Sequence, residues 1–329
     1  MEAIKLPERV TDCDLNLRNN QPILDGNLKL IRAIGSGAQG RVYEALLLNK
    51  ENPKLSRKIL VALKVSKNQG SCGKKQRANT YDRDRFPNVR EFTDLVCADS
   101  AKLELFAYSV LAKYNLPTIP RVYASTKCKN NRFLMSEFIP HAKTFEQTDD
   151  DLLLNSMDFV TVMLLYTIMK MQQSRLAHYD IHSYNVLIQG PKVARNYNAM
   201  KSIEVNGQTI DIQVLVGYRR VVPYLIDFGF ANHERKDGSL IRGPYRISHY
   251  DPEIDIRALA QMLIEWYPKE VTIGQMRAAG TIYTVQFLEL LLDDALRDKQ
   301  LVSKIQLPNA YAQKERFAEV ILSKMFLRK

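Results

Sequence analysis

Two polar motifs, each beside a short apolar strand, constrain this chain more than any other feature of its sequence. The motif His178-Tyr179-Asp180-Ile181-His182-Ser183-Tyr184-Asn185 precedes the predicted strand Val186–Ile188. The motif Asp227-Phe228-Gly229 follows a second predicted strand over Val221–Ile226. Asn185 and Asp227 offer the oxygen ligands that Mg²⁺ prefers, and Asp180 can orient an attacking hydroxyl and accept its proton. The two motifs therefore predict metal-dependent phosphoryl-transfer chemistry.

A glycine-rich segment in the first half of the chain predicts a phosphate-binding loop. Gly35, Gly37 and Gly40 lie in GSGAQGRV, between apolar segments that are typical of two strands. Glycines in such a turn let backbone amides approach phosphate oxygens, because no side chain stands in the way. Strand character resumes at Val42, whereas a dinucleotide-binding loop would lead into a helix. The segment is therefore either a nucleotide-binding hairpin or a tight hairpin without a ligand.

Lys64 stands in an apolar segment, Ile59–Val65, that is typical of a buried strand. An unpaired ammonium group would be costly to bury there, so an anionic partner is expected. Glu104 lies on the predicted helix that follows and can supply a carboxylate, with Glu91 as the rival. A lysine that only extends its charged end to solvent is the alternative.

Together these motifs resemble those of the eukaryotic-type protein-kinase superfamily, from about Leu28 to the predicted helix near Asp255. The resemblance implies a two-lobed α+β fold with an antiparallel-sheet N-lobe and a mainly helical C-lobe. We predict a lead-in over residues 1–27, an N-lobe over 28–139 and a C-lobe over 140–329. Within the C-lobe we expect an inserted surface hairpin at about 191–220, turning at Asn206-Gly207.

The same resemblance assigns a role to each site residue. It makes Asp180, Lys64 and His182 catalytic, and Asn185 and Asp227 the ligands of Mg²⁺ or Mn²⁺. Ser136 would be a small residue at the back of the adenine pocket, and Asp255 would support the catalytic loop or simply cap a helix. The residues that it assigns to ATP binding are Gly35, Gly37, Gly40, Val42, Ala62, Lys64, Glu104, Glu137 and Ile139.

Three departures from the family pattern bear on which acceptor is phosphorylated and on how the expected activity is regulated. Tyr179 replaces the arginine that reads an activation-loop phosphate, and no Ala-Pro-Glu follows Asp227. His182 replaces a lysine, as in kinases that are similar to aminoglycoside and choline kinases and in haspin-like protein kinases. An imidazole there could donate a hydrogen bond to the γ-phosphate, or it could only pack the loop.

The inserted hairpin and the VPYLIDFGFA context resemble kinases of large cytoplasmic DNA viruses, including poxvirus-like and iridovirus-like enzymes. We therefore expect a serine/threonine protein kinase, in the cytoplasm of a host cell or in a virion. One alternative is a small-molecule phosphotransferase. The other is an inactive scaffold that binds partners or nucleic acid through its basic surface.

Charge and hydropathy narrow the partners and the environment. The formal net charge of +11 favours acidic or nucleic-acid-associated protein substrates, although no motif supports direct nucleic-acid binding. The apolar segment from Leu152 to Met171 reads as a buried helix rather than a membrane span, because Asn155, Ser156 and Asp158 interrupt it. Four widely spaced cysteines predict free thiols in a reducing compartment.

Overall fold

The polypeptide folds into a mixed α+β structure, as the sequence predicts. The computed structural model describes residues 22–37, 40–48, 59–67, 72–77, 93–97, 100–190, 202–212, 221–243, 250–251, 253–266, 281–291 and 317–326. The strands are β1 (Pro22–Ile23), β2 (Leu28–Gly37), β3 (Gly40–Leu47), β4 (Ile59–Lys67), β5 (Cys72–Arg77), β6 (Thr93–Cys97), β7 (Val122–Cys128), β8 (Asn131–Glu137), β9 (Lys143–Thr144), β10 (Leu176–Ala177), β11 (Val186–Gln189), β12 (Ser202–Val205), β13 (Gln208–Asp211), β14 (Val222–Leu225), β15 (Asn232–Glu234) and β16 (Leu240–Arg242). The helices are α1 (Ser100–Leu111), α2 (Asp150–Leu154), α3 (Met157–Gln173), α4 (Ile254–Trp266), α5 (Ile282–Leu291) and α6 (Phe317–Phe326).

The largest sheet has six antiparallel strands in the order β1-β2-β3-β4-β8-β7. Successive side chains on a strand point to opposite faces of a sheet. On β4, Val61, Leu63 and Val65 are buried in one apolar cluster, so Ala62 and Lys64 lie on the opposite face. The alternation of residues within VALKV therefore decides on which face Lys64 lies.

The start of the described chain belongs to this sheet, which corrects part of the predicted lead-in. Strand β1 pairs with β2, and Ile23 and Leu24 are buried in the same apolar cluster as the sheet. Burying these two side chains stabilises the sheet edge, so residues 22–27 are structural. Residues 1–21 of the predicted lead-in lie outside the described residues.

A second and larger apolar cluster surrounds α3 and includes side chains of α1, α4, α5 and α6. The sequence predicts one helix from Leu152 to Met171, whereas the structure has two, α2 and α3. Asn155 ends α2 because its side-chain amide donates to the carbonyl of Asp151, at 2.6 Å. No helix in the described ranges has the length and apolar character needed to cross a membrane.

A five-stranded sheet in the order β10-β15-β16-β6-β5 was not predicted as such. Its strand β10 ends just before His178, and β15 begins two residues after the short 3-10 helix Phe228–Phe230. Strand β6 pairs in parallel with β16 and ends three residues before the first residue of α1. The sheet therefore joins the segment after Asp227 to the start of the helix that carries Glu104.

The hairpin predicted around Asn206-Gly207 is formed by β12 and β13. Both turn residues have positive φ, 50° and 73°, the conformation that a two-residue hairpin turn requires. We expected this hairpin to lie on the surface, but one of its faces is buried. Ile203 and Val205 on that face belong to the larger apolar cluster. The backbone amide of Asn206 also donates to Glu319 of α6, at 3.2 Å. The remainder of the predicted insertion, 191–201 and 213–220, lies outside the described residues.

Cys128, at the end of β7, corrects the expectation of free thiols. Its side chain is 1% exposed, in the cluster of the six-stranded sheet. It is disulfide-bonded. The expectation of a free thiol is therefore wrong at this position.

Candidate functional site

Lys64 lies at the centre of a group of charged side chains. Its ammonium nitrogen Nζ lies 2.8 Å from Oε2 of Glu104 and 2.7 Å from Oδ1 of Asp227. Glu104 comes from α1, as the sequence predicts, whereas its rival Glu91 lies outside the described residues. The side chains of Lys64 and Glu104 are 13% and 4% exposed. The structure thus brings together three predicted site residues from distant parts of the chain.

Burial and charge act in opposite directions on this cluster. Burial lowers the pKa of Lys64, but the charges of Glu104 and Asp227 raise it further, so that the pKa lies above its ordinary value. Burial raises the pKa of Glu104 to about 7, although Lys64 lowers it. The ammonium group therefore stays charged, and the ionised form of Glu104 depends on Lys64.

Asp227 sits at a sharp turn in the backbone. It has φ 63°, in the left-handed region that non-glycine residues seldom adopt. Its carboxylate oxygen Oδ1 accepts a hydrogen bond from the amide of Gly229 at 3.3 Å, which caps the 3-10 helix Phe228–Phe230. This turn directs the Asp227 carboxylate towards Lys64.

The catalytic-loop candidates Asp180 and Asn185 are bonded to each other. Nδ2 of Asn185 donates to the carbonyl oxygen of Asp180 at 2.9 Å and to its Oδ2 at 3.0 Å. Burial raises the pKa of Asp180, while His182 and the hydrogen bond from Asn185 lower it. Asn185 therefore holds one carboxylate oxygen of Asp180 in a defined orientation.

His178 connects this loop to the Asp227 turn. Its Nδ1 accepts from the amide of Asp180 at 3.2 Å, so Nε2 carries the proton and donates to the carbonyl of Ile226 at 2.9 Å. Burial lowers the pKa of His178 to about 4, which keeps the ring neutral. The ring also packs against Phe228, with centroids 4.5 Å apart.

Asp255 supports the same loop from α4. Its two carboxylate oxygens accept from the backbone amides of His178, at 2.7 Å, and Tyr179, at 2.9 Å. Burial raises the pKa of Asp255 to about 7, and these hydrogen bonds oppose the rise. Of the two roles open to Asp255, the contacts favour support of the catalytic loop. The hydroxyl of Tyr179 in turn accepts from the amide of Asp251 at 2.7 Å.

His182 lies beside Asp180 and is accessible. Its Nδ1 accepts from the backbone amide of Tyr184 at 3.2 Å, so the neutral ring carries its proton on Nε2. Nε2 lies 3.6 Å from Oδ2 of Asp180, and the His182 side chain is 45% exposed. Of the two roles predicted for His182, this placement favours a hydrogen-bond donor that faces the site over a side chain that only packs the loop.

The two predicted metal ligands have free oxygen atoms. Among the described residues, no hydrogen bond occupies Oδ1 of Asn185 or Oδ2 of Asp227, since their bonds use the other polar atoms. Amide and carboxylate oxygens suit Mg²⁺, which keeps several water or phosphate ligands. The described part of the chain has no group of three or more His, Cys, Asp or Glu side chains placed to hold a metal. The two-ligand set fits Mg²⁺ that is bound together with phosphates.

Several of the predicted nucleotide-binding residues share the face of the six-stranded sheet on which Lys64 lies. Val42 of β3 pairs with Lys64 of β4, and Ala62 pairs with Ser136 of β8. Gly35 pairs with Val42, and Gly37 pairs with Gly40, at the end of the β2–β3 hairpin. Glu137 of β8 pairs with Val61, so its side chain lies on the opposite face, and Ile139 follows just beyond β8. The residues that share the face of Lys64 thus form a continuous surface beside it.

Gly40 has a steric requirement for glycine. A Cβ atom added there would lie 2.2 Å from the carbonyl oxygen of Val65, and this oxygen belongs to the backbone of β4. By contrast, a Cβ added at Gly35 would meet only Val42, at 3.9 Å. Gly40 therefore permits the close approach of two strands, which is a structural role in addition to the predicted one.

Tyr108 is a site residue that the sequence analysis missed. It lies on α1 four residues after Glu104 and is 7% exposed. Burial and the charge of Glu104 raise the pKa of its hydroxyl. Its ring contacts Phe228, with centroids 5.1 Å apart. The four-residue spacing from Glu104 was the available signal, because such residues share one helix face.

Comparison of the sequence with models of known protein families finds no match, and comparison with curated proteins finds none either.

Proposed function

We propose that the protein is an ATP-dependent serine/threonine protein kinase with a two-lobed protein-kinase-like fold. The observation that carries this proposal is the position of Lys64 Nζ, which is 2.8 Å from Glu104 and 2.7 Å from Asp227. A charged lysine that two carboxylates hold beside a glycine hairpin is suited to binding nucleotide phosphates. The two largest apolar clusters are separate, which supports two lobes, and the larger one also includes side chains of α1 from the predicted N-lobe.

In the proposed reaction, Asp180 orients the acceptor hydroxyl and accepts its proton. Asn185 holds Oδ2 of Asp180, which leaves the carboxylate restrained while it acts. His182, with its proton on Nε2, donates towards the transferring phosphoryl group or towards Asp180. The arrangement supplies a base and a donor within one short loop.

The anionic charge of the nucleotide is met by Lys64 and by the metal. Asn185 and Asp227 would hold Mg²⁺, with Mn²⁺ as an alternative, and the bound ion supplies positive charge to the phosphates. Lys64 stabilises charge on the phosphates, while Glu104 keeps its side chain extended. Val42, Ala62, Glu137 and Ile139 would surround the adenine.

The choice of a serine or threonine hydroxyl rests on the resemblance to kinases of large cytoplasmic DNA viruses. The net charge of +11 supports acidic or nucleic-acid-associated protein substrates. We propose activity in a host cytoplasm or in a virion. Against the scaffold alternative, Lys64, Asp180, Asn185 and Asp227 are all present and in mutual proximity.

The test is transfer of radiolabelled phosphate from ATP to a panel of proteins and, separately, to amino-alcohols and aminoglycosides. We expect labelled serine and threonine in protein, with loss of transfer in Asp180→Asn and in Lys64→Met. The matched controls are Asp150→Asn and Lys143→Met, since both of these side chains are exposed and lie on α2 and β9.

Three results would contradict the proposal. Transfer that persists in both site variants would contradict the assignment of the site. Labelling of small alcohols alone would replace the protein acceptor by a small molecule. No transfer to any acceptor by the wild type would favour the scaffold.

A further inference from the structure

We propose that Tyr179 is a positioning residue for Asp180, whose phenol hydroxyl fastens the loop that carries Asp180 to the segment before α4; its effect on catalysis rests on the proposed function. The hydroxyl accepts a hydrogen bond from the backbone amide of Asp251 at 2.7 Å, across 72 residues of sequence. Tyr179 would act through the neighbouring Asp180 and need not touch the nucleotide or the acceptor.

Tyr179 is held at both its backbone and its side chain. Its amide donates to Oδ1 of Asp255 at 2.9 Å, and its hydroxyl accepts from Asp251, four residues earlier in the chain than Asp255. The ring packs against a small apolar cluster that consists of Ala177, Leu240 and Tyr250. These contacts fix the direction of the side chain as well as the course of the backbone.

Asp251 is a firm anchor for the hydroxyl because its own carboxylate is bound to the start of α4. One carboxylate oxygen forms an ion pair with Arg257, and Oδ1 accepts from the amide of Glu253 at 2.9 Å. Arg257 also pairs with Glu253, with 3.3 Å between Nη1 and Oε2. A hydrogen bond to the Asp251 amide therefore restrains Tyr179 relative to the whole of this helix start.

The backbone of Tyr179 needs such support. Its φ is 66°, in the left-handed region that residues other than glycine seldom adopt. Such a conformation persists only when its surroundings hold it. The next residue is Asp180, so a change in the Tyr179 backbone would move the carboxylate that serves as the base in the proposed reaction. Phenylalanine would keep the ring contacts but leave the Asp251 amide without its acceptor.

Tyr179→Phe tests the hydroxyl, and Tyr114→Phe is the matched control. Tyr114 lies in the 3-10 turn Ala112–Tyr114, and its hydroxyl accepts from Ser174 at 3.0 Å, so the control removes a hydroxyl that joins different residues. For Tyr179→Phe we expect a fall in kcat of about tenfold, the size of effect that loss of one partly buried hydrogen bond produces. KM for ATP should change little, because the residues that would surround the adenine are unaltered.

Hydrogen exchange at the Asp251 amide provides a measurement that does not depend on activity. This amide should exchange slowly in the wild type, about tenfold faster in Tyr179→Phe, and at the wild-type rate in Tyr114→Phe. Amides of α3 should keep their rates in both variants. Fast exchange at Asp251 in the wild type would overturn the proposal, even if Tyr179→Phe does not fold. An unchanged rate in Tyr179→Phe, or equal acceleration throughout α3, would also overturn it.

A double-mutant cycle with Asp255→Asn tests whether the hydroxyl acts through the loop. Asp255 and the hydroxyl hold the same residue, so the combined variant should lose less kcat than the product of the two single losses. A combined loss equal to that product would mean that the two act independently, which contradicts the proposal.

The kinetics of the single variants are equally decisive. A tenfold loss of kcat at constant KM for ATP in Tyr179→Phe, with full kcat in Tyr114→Phe, supports the positioning role. Full kcat in Tyr179→Phe, or an equal loss in Tyr114→Phe, would overturn it. If the wild type transfers no phosphate, the proposed function fails, and the exchange measurement alone decides whether Tyr179 fastens the loop to the segment before α4.

Discussion

Asp255→Asn is the substitution whose effect follows most directly from the geometry of the loop that carries Asp180. Asp255 accepts from two backbone amides, those of His178 and Tyr179, with a different oxygen for each. Asparagine has a single acceptor oxygen, so one of the two amides loses its partner. An unpaired buried donor costs about 1–3 kcal/mol, and the segment that carries Asp180 is then held less firmly. We therefore expect a reduced kcat.

The effect of Asp255→Asn on folding stability should depend on pH. Burial raises the pKa of Asp255 from its ordinary 3.8 to about 7, so the folded protein binds more protons than the unfolded chain between these values. The stabilisation from this carboxyl is fully present below the unfolded pKa and is lost as the pH rises through the folded pKa. Between pH 5 and pH 7 the loss is at most about 1.36 kcal/mol per pH unit and about 2 kcal/mol in all, because the slope halves as the pH reaches the folded pKa. The folding stability of Asp255→Asn does not fall in this way, because asparagine does not titrate.

Urea unfolding of both proteins at pH 5, 6, 7 and 8 measures this difference. The free energy of unfolding of Asp255→Asn, relative to the wild type, should rise by about 2 kcal/mol from pH 5 to pH 7 and then level off. Glu104 also has a raised pKa, but it is present in both proteins and cancels in the difference. Asp150→Asn removes an exposed carboxylate and serves as the control. A pH-independent difference for Asp255→Asn, or an unchanged kcat at pH 7, would refute the reasoning.

Three further substitutions probe other parts of the site. Gly40→Ala should destabilise the fold by about 1–3 kcal/mol in denaturant unfolding, because its Cβ would lie 2.2 Å from the carbonyl oxygen of Val65. Gly35→Ala is the control and should have little effect, because its Cβ would lie 3.9 Å from the nearest atom, Cβ of Val42. Asp227→Asn should raise the Mg²⁺ concentration that gives half-maximal activity, and an unchanged Mg²⁺ titration would remove Asp227 from the metal site. His182→Ala should lower kcat by about tenfold to a hundredfold with an unchanged melting temperature, since this side chain is 45% exposed; a lower melting temperature with full kcat would instead assign it a packing role.

Alternation and spacing predicted the parts of the fold that depend on local pattern. The apolar segment Ile59–Val65 predicted a strand, and the structure has β4 over Ile59–Lys67. Strand β5 escaped prediction because its sequence, CGKKQR, lacks the β-branched and aromatic residues that favour strands. It pairs with β6, and β6 pairs with β16 far along the chain. Pairing with strands that are distant in sequence, rather than local propensity, therefore makes this segment a strand.

The same distinction holds for the candidate site. Asp180, Asn185 and Asp227 were predictable because they lie beside strands, where short spacing constrains their neighbours. Tyr108 was not, since its ring meets Phe228 only when α1 approaches the Asp227 turn. A tyrosine at that helical position reads equally well as an ordinary core residue. Local patterns do not reveal which distant segments of the chain come into contact.

A continuous line of buried contacts runs through the described site. It begins at Asp255, which holds the amide of His178, and passes through the His178 ring to Phe228 and then to Tyr108. From there it continues one helical turn along α1 to Glu104 and on to Lys64, which returns to Asp227 at 2.7 Å. Each contact shares a residue with the next one, so none of them is optimised independently of its neighbours. The support of the loop that carries Asp180 and the placement of Lys64 are for this reason two parts of a single packed arrangement.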